Sequence, residues 1–549
     1  MKKFQVFLIL LILILAAFLR LWKVSEYPTG FNADEAAIGY NAYSLLKTGQ
    51  DEYGASWPLV FKSFGDYKPG LYFYLVLPFV KIFGLNELAV RLPSAILGIL
   101  TVLLVYFLVK EIFRDLPFAI SYSLFASFLL AISPWHLHFS RGGWETNTAT
   151  FFITAGTFFF LKALKNPKFY LLFAICYLLS LYTYHSARII VPFLLLILCL
   201  INRRKVFRRQ FDYSKWLLVS FILAFILALP LLPMMFSEEG QARFSGLSIF
   251  ADQGPFWATN EARGEHQNPN GITAVVFHNK VISYGRSWLK GYLSHFDLRF
   301  LFITGDSIER NKVPEMGLLY FFEIFTVAIG SYFLLKMKNK NKWLVFFWLS
   351  ISPLASSLTF QTPHALRAHN MVIPLTIISA FGVYKILQWT KENMSSIFVI
   401  GLLGYCFIGL LNLCYYLRQY YVEYPKRYPL AWEHGFKELV ELVEPIQDKY
   451  DQIIITDRYD QPYILFLFYL KYPPEKYQPQ AKLTMRDRFG FGTVRSFDKF
   501  EFRKIDWEED KKTRNALIIG TDEEIPDDAN IIKTIYFQNN QPVFQIAER

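Results

Sequence analysis

Between Phe4 and Leu417 the chain returns repeatedly to long apolar runs, and beyond Arg418 it stops doing so. A run of roughly 20 apolar residues matches the hydrocarbon core of a bilayer when it is helical. Only helices or closed barrels satisfy their backbone polar groups there. With 53% hydrophobic residues and 19% charged, the chain holds more apolar surface than a soluble domain can hide. An α-helical polytopic membrane body is therefore expected over residues 1–417, followed by a polar tail, 418–549. Runs near 4–22, 93–113, 117–138, 147–164, 168–184, 187–201, 215–235, 315–336, 342–359, 369–389 and 395–417 predict about eleven spans. Pro192 and Pro230 interrupt two short ones, which leaves a count of up to thirteen open. The apolar segment 71–84 is too short to span and reads as an interfacial helix.

Charge orients these spans. The formal net charge of +12 could suggest nucleic acid in a soluble protein. Here Lys162, Lys165 and Lys168, then Arg203, Arg204, Lys205, Arg208 and Arg209, then Lys336, Lys338, Lys340 and Lys342 fall in alternate loops. That pattern follows the positive-inside rule, so the excess charge belongs to cytoplasmic loops and nucleic acid is not an expected partner. Met1-Lys2-Lys3 before the first run, with no close cleavage site, predicts an uncleaved span entering from the cytoplasm. The outer side then receives loops 23–92 and 236–314, three short loops and the tail. In the tail, Glu433–Asp448 has helical periodicity, while 452–456, 516–520, 531–537 and 543–547 read as strands, so a small extracytoplasmic α/β domain is expected. Cys176, Cys199, Cys406 and Cys414 lack metal-site spacing and are expected to be inert, buried residues.

The outer loops carry the chemistry. Asp34 and Glu35 follow the first span directly, where a helix start would favour them and would also hold a carboxylate as a base. Lys68 precedes Pro69, so its backbone is biased to extended geometry and its ammonium can reach a lipid phosphate. Arg141, Arg188 and Arg367 stand on the outer side, against the topology rule. With Lys68 they suggest a shared anionic ligand, since guanidinium forks suit phosphate oxygens. Tyr67, Glu145, His185 and His364 accompany them as substrate-binding candidates.

Asp34-Glu35, the stretch Asp66-Tyr67-Lys68-Pro69, Asn86-Glu87-Leu88-Ala89-Val90-Arg91-Leu92-Pro93 and His364-Ala365-Leu366-Arg367 together resemble the bacterial GT-C glycosyltransferases. The nearest branch is that of the protein O-mannosyltransferases and the aminoarabinose transferases of lipid A. The resemblance covers residues 1–417 and implies a GT-C membrane domain. It implies that Asp34 is the acid-base residue and that Lys68 contacts the carrier phosphate; Glu35, the adjacent carboxylate, is the second catalytic candidate. Glu145 matches a second acidic position after the third span.

The expected activity is transfer of a sugar from a polyprenyl-phosphate donor to an acceptor hydroxyl on protein, lipid or glycan. Direct attack with one base inverts the anomeric centre, and fixed cations stabilise the growing phosphate charge. Asp34 and Glu35 could hold a divalent metal, but no obligatory cofactor is expected. The expected location is the cell membrane, with the site on its outer face. A lipid-linked-sugar flippase or a polysaccharide polymerase is the alternative. The flippase should show internal repeats and broken helices, which the sequence does not reveal; the polymerase should lack the acidic pair.

Overall fold

The polar loop after the first apolar helix is where the fold is most informative. In this computed structural model the described residues are 2–206, 211–231, 233, 246, 248–393, 396–487 and 491–548. Arg208, Arg209, the end of the expected 215–235 span and the start of the 236–314 loop lie outside them. The chain divides into two units. One comprises Met1–Leu19, Gly98–His138 and Thr146–Cys414; the other comprises Arg20–Leu97, Phe139–Glu145 and Tyr415–Arg549.

The first unit is helical. Among the described residues, five helices of the chain are long and apolar enough to cross a membrane: 3–21, 87–112, 211–228, 369–392 and 399–427. The bent pair α5 (Ala119–Ile132) and α6 (Pro134–Arg141), kinked by 55°, makes a sixth if counted as one span. Helices 169–181 and 187–201 are apolar but shorter. The four cysteines are free thiols. Cys176 is buried as expected, but Cys406 and Cys414 are exposed. Both project from the apolar helix Ser396–Arg418, whose surface is left largely uncovered by protein. An apolar run in a membrane protein can face lipid, so apolar surroundings in sequence do not imply burial in protein.

The second unit is mixed. Its loop part holds α2 (Ala33–Thr48), a hairpin of β1 (Val60–Ser63) and β2 (Asp66–Pro69), and α3 (Leu71–Phe83). The 71–84 segment is thus a helix of 13 residues. Phe64 and Gly65 join the hairpin strands with φ of 55° and 80°, the positive values a two-residue hairpin turn requires. The tail carries a six-stranded sheet in the order β4-β5-β3-β6-β8-β7. Its strands are β3 (Gln452–Ile455), β4 (Ser496–Phe497), β5 (Phe500–Phe502), β6 (Ala516–Gly520), β7 (Asn530–Tyr536) and β8 (Pro542–Glu548). β3 runs parallel to β5 and β6, and the other pairings are antiparallel. Four of these strands coincide with the periodic runs of the sequence. β4 and β5, at two and three residues, are too short to show a period.

One apolar core joins the loop to the tail. Phe31, Tyr40, Tyr72 and Phe73 share it with Phe466, Phe468, Leu517 and Phe544, all nearly inaccessible to solvent. Helix α2 packs on helix Pro462–Tyr469 at Gly39, where a Cβ would stand 2.5 Å from the Phe468 ring. Each fully buried Phe contributes roughly 1.5–3 kcal/mol. The loop that carries the acidic pair is therefore held by the tail.

Candidate active site

Helix α2 starts where its cap dictates. The Asn32 side chain accepts the Glu35 backbone N–H at 3.0 Å, with extended backbone at Asn32 itself. Asp34 and Glu35 thereby fall in the first turn, on different faces, and their surroundings diverge.

Glu35 is sealed. Its side chain is 1% exposed, and the Arg91 guanidinium donates to it twice, from Nε at 2.9 Å and Nη2 at 3.0 Å. The Gly143 N–H donates to the same carboxylate at 2.7 Å. A side chain at Gly143 would fit tightly, its Cβ 3.1 Å from Val90 and 3.3 Å from Glu35. Arg91 also donates to the carbonyls of Val24, Pro28 and Gly30, at 3.1, 3.0 and 2.7 Å. The Phe31 and Trp432 rings stack against its guanidinium, with centroids at 5.4 and 5.7 Å. Gly30, with φ of 100°, passes so near Trp432 that a Cβ would meet the Trp432 carbonyl oxygen at 2.2 Å.

Asp34 is the open carboxylate of the pair, with its side chain 33% exposed. The Lys68 ammonium donates directly to it. Lys68 is 11% exposed and reaches Asp34 because it stands in β2, registered opposite Phe61. The Phe64 ring lies 5.5 Å from its Nζ. Burial works against the Lys68 charge, but Asp34, Glu145 and Asp66 outweigh it and raise its pKa. Asp34, Lys68 and Glu145 thus form one electrostatic group, with Tyr67 next to Lys68 on the hairpin.

Arg141 belongs to the same unit but has a different set of partners. It is 1% exposed and donates to the Trp22 and Tyr27 carbonyls, at 2.8 and 3.2 Å, and to the Tyr420 hydroxyl at 3.3 Å. The Tyr420 and Tyr421 rings flank its guanidinium.

The remaining candidates lie in the helical unit. Arg188 opens α9 (Ala187–Ile201) within electrostatic reach of Tyr182, and His185 precedes it. Arg367 donates to Thr359 Oγ1 at 2.7 Å and to Gln361 Oε1 at 3.4 Å. His364 Nδ1 stands 3.7 Å from the buried Asp306 carboxylate, and its backbone N–H donates to His295 at 3.3 Å. Asp306 also accepts the Ala365 N–H at 2.6 Å and the Asn311 amide at 3.1 Å. Burial raises the Asp306 pKa against the pull of these donors.

Arg91 and Asp306 were not among the site residues expected from sequence. Arg91 had a visible sign, a guanidinium on the outer side just before an apolar run. Asp306 had none, since its partner Ala365 is 59 positions away. Among the described residues no group of three or more His, Cys, Asp or Glu side chains could hold a metal ion.

Residues 67–233 match the family model described as dolichyl-phosphate-mannose-protein mannosyltransferase. The fold is similar to that of ArnT from Cupriavidus metallidurans bound to undecaprenyl phosphate, at 12% identity and a TM-score of 0.55, over 99% of this chain and 98% of that one. It is also similar to the oligosaccharyltransferase AglB from the archaeon Archaeoglobus fulgidus in complex with an inhibitory peptide and a dolichol-phosphate, at 15% identity and a TM-score of 0.50. That likeness covers 85% of this chain but 64% of AglB, so the chain spans less than two thirds of that protein. A structure of the A. fulgidus oligosaccharyltransferase in complex with Zn and sulfate is similar at 13% identity and a TM-score of 0.50, over 84% of this chain and 61% of that one. No curated protein sequence matches.

Proposed function

We propose that this chain is a glycosyltransferase of the GT-C type, which moves a sugar from a polyprenyl-phosphate carrier to an acceptor hydroxyl at the outer face of the cell membrane. The observation that carries this reading is the Asp34–Lys68 pair: an accessible carboxylate with an ammonium fixed upon it, beside a carboxylate that is sealed. Asp34 takes the acceptor proton as the glycosidic bond forms. Lys68 pairs with Asp34 beforehand and meets the phosphate as negative charge develops on the leaving group. A cation fixed before the reaction stabilises that charge without reorganising. Displacement by the acceptor inverts the anomeric centre.

Glu35 and Arg91 position this pair and do not react. Arg141 holds the loop, and Arg188 and Arg367 are the further candidates for the phosphate. Tyr67 and Glu145 are the substrate-binding candidates beside this pair, and His185 and His364 are those of the helical unit. No step is routed through a metal: Lys68 already supplies positive charge at Asp34, and Arg91 saturates Glu35. About eleven spans carry the site, and residues 418–549 stand with it on the outer side. Support comes from the family match over 67–233, which includes Lys68, and from the undecaprenyl phosphate and dolichol-phosphate bound to two proteins of similar fold.

Asp34→Asn tests the proposal. Asn preserves the size and suits a helix start, but its amide cannot accept a proton. Transfer from a defined polyprenyl-phosphate sugar should fall by roughly 100-fold or more while donor binding persists. Full activity in this variant overturns the mechanism.

A further inference from the structure

The segment between helices Phe211–Ala228 and Glu323–Lys336 includes three helices, Gly254–Gly264, Ile272–Phe277 and Lys280–Ser294. They are tied into one piece. Thr259 Oγ1 bonds to Ser283 Oγ at 2.7 Å, and Arg263 Nε donates to the His278 carbonyl at 2.6 Å. The Tyr284 hydroxyl donates to the Asp252 carbonyl at 3.0 Å, and Lys280 lies 4.6 Å from the Phe256 ring centroid.

Large apolar side chains of this piece are bare. Ile272 is 84% exposed, Val281 82%, Phe277 65% and Trp257 64%. On the third helix Val281, Gly285, Leu289 and Leu293 recur every four residues, all exposed, so they form one stripe. Arg286 and Lys290, also exposed, run along one edge of that stripe, and the helix contains no acidic residue. A soluble surface that bared such a stripe would be an aggregation hazard. Among the described residues five helices are long and apolar enough to cross a membrane, so lipid is at hand to cover the stripe.

We propose that residues 254–298 form an in-plane amphipathic unit that lies on the bilayer interface and binds anionic phospholipid headgroups. Val281, Leu289, Leu293, Ile272 and Phe277 sink into the acyl boundary. Arg286 and Lys290 extend from its edge to the headgroup phosphates, as the long stems of basic side chains permit. Each such cation adds attraction to an anionic leaflet that fades within a Debye length. The unit thereby gives the enzyme a preference for membranes rich in acidic lipid. This goes beyond the transfer reaction and does not depend on it.

The test is spin-label accessibility in the full-length protein. The four native cysteines are replaced, and Val281→Cys and Ile272→Cys are labelled singly; both positions are exposed, so folding is not at stake. The protein is reconstituted in phosphatidylcholine vesicles with and without phosphatidylglycerol. Labels at both positions should be severalfold more accessible to oxygen than to a water-soluble nickel chelate. Immersion should deepen with phosphatidylglycerol, and Arg286→Glu with Lys290→Glu should abolish that deepening but leave the behaviour in phosphatidylcholine unchanged. Greater access to the nickel chelate would place the stripe in water and overturn the proposal. Dipolar broadening between labels would show a second copy seated on the stripe and also overturn it. Equal immersion of the double charge variant and its parent in phosphatidylglycerol would overturn the anionic-lipid preference.

Discussion

Arg91 grips Glu35 through two nitrogens, Nε at 2.9 Å and Nη2 at 3.0 Å, and neither side chain has measurable contact with solvent beyond 1%. The same guanidinium gathers three backbone carbonyls of the chain that leads into α2. One arginine thus fixes the approach to the acidic pair and leaves Asp34 as the exposed member. Arg91→Ala would leave Glu35 buried without its counter-ion, a change that costs about 3–5 kcal/mol. Arg91→Lys keeps the charge but loses the fork, so it too should destabilise. Melting of the detergent-solubilised protein checks this: both variants should melt below the parent, and an unchanged melting temperature for Arg91→Ala would contradict the positioning role.

Lys68 should govern donor affinity. A charge-assisted contact to phosphate is worth roughly 1.5–3 kcal/mol, so Lys68→Ala should weaken binding of a polyprenyl-phosphate donor by roughly 10- to 150-fold. The variant should still elute as a folded monodisperse protein. Unchanged affinity with lost transfer would confine Lys68 to holding Asp34, and would pass the phosphate contact to Arg188 or Arg367.

Glu52 should make stability depend on pH. It is fully buried, and burial pushes its pKa up to about 8, although the Asn41 amide donates to it at 2.9 Å. An acid whose folded pKa exceeds its unfolded value binds its proton more tightly when folded. Its cost to stability is absent below the unfolded value of 4.5, grows as pH rises, and is complete above about 8. Glu52→Gln removes this titration and keeps an acceptor for Asn41. The variant should gain stability over the parent progressively between those limits, read as the difference in melting temperature across a pH series. A difference that does not change with pH would show that Glu52 is not buried as an acid.

The tail should face the same side as Asp34. Lys533 is exposed on β7, and Lys533→Cys in a background without Cys406 and Cys414 should react with an impermeant thiol reagent in intact spheroplasts. Labelling only after lysis would mean that the span count is wrong by an odd number.

Much of this protein could be read along the chain. The apolar runs announce membrane helices because a helix crossing lipid must be apolar over its whole length, which is a local property. Asp34 and Glu35 announce a helix start, which the structure places at Asn32 because a cap acts within three residues, and the 516–520 run becomes β6 over those same residues. Lys68 before Pro69 was legible as extended chain for the same local reason.

What separates Asp34 from Glu35 is not local. As adjacent carboxylates of one sequence they are alike in type and place, and only the family resemblance singled out Asp34. Arg91, 56 positions on from Glu35, and Gly143 claim one of them, while Lys68 claims the other. Arg141 was a phosphate candidate by type; the structure adds that its Nε donates to Tyr420 and its Nη2 to Trp22 and Tyr27. The loop 23–92 and the tail looked like separate polar regions, but Phe31, Tyr40 and Phe468 pack in a single core. Hydropathy and caps act over a few residues, so the sequence by itself determined the helices, most of the sheet and the kinds of residue at the site. Ion pairs and burial depend on which distant segments meet, so only the tertiary structure decided which carboxylate is open and which cation stands on it.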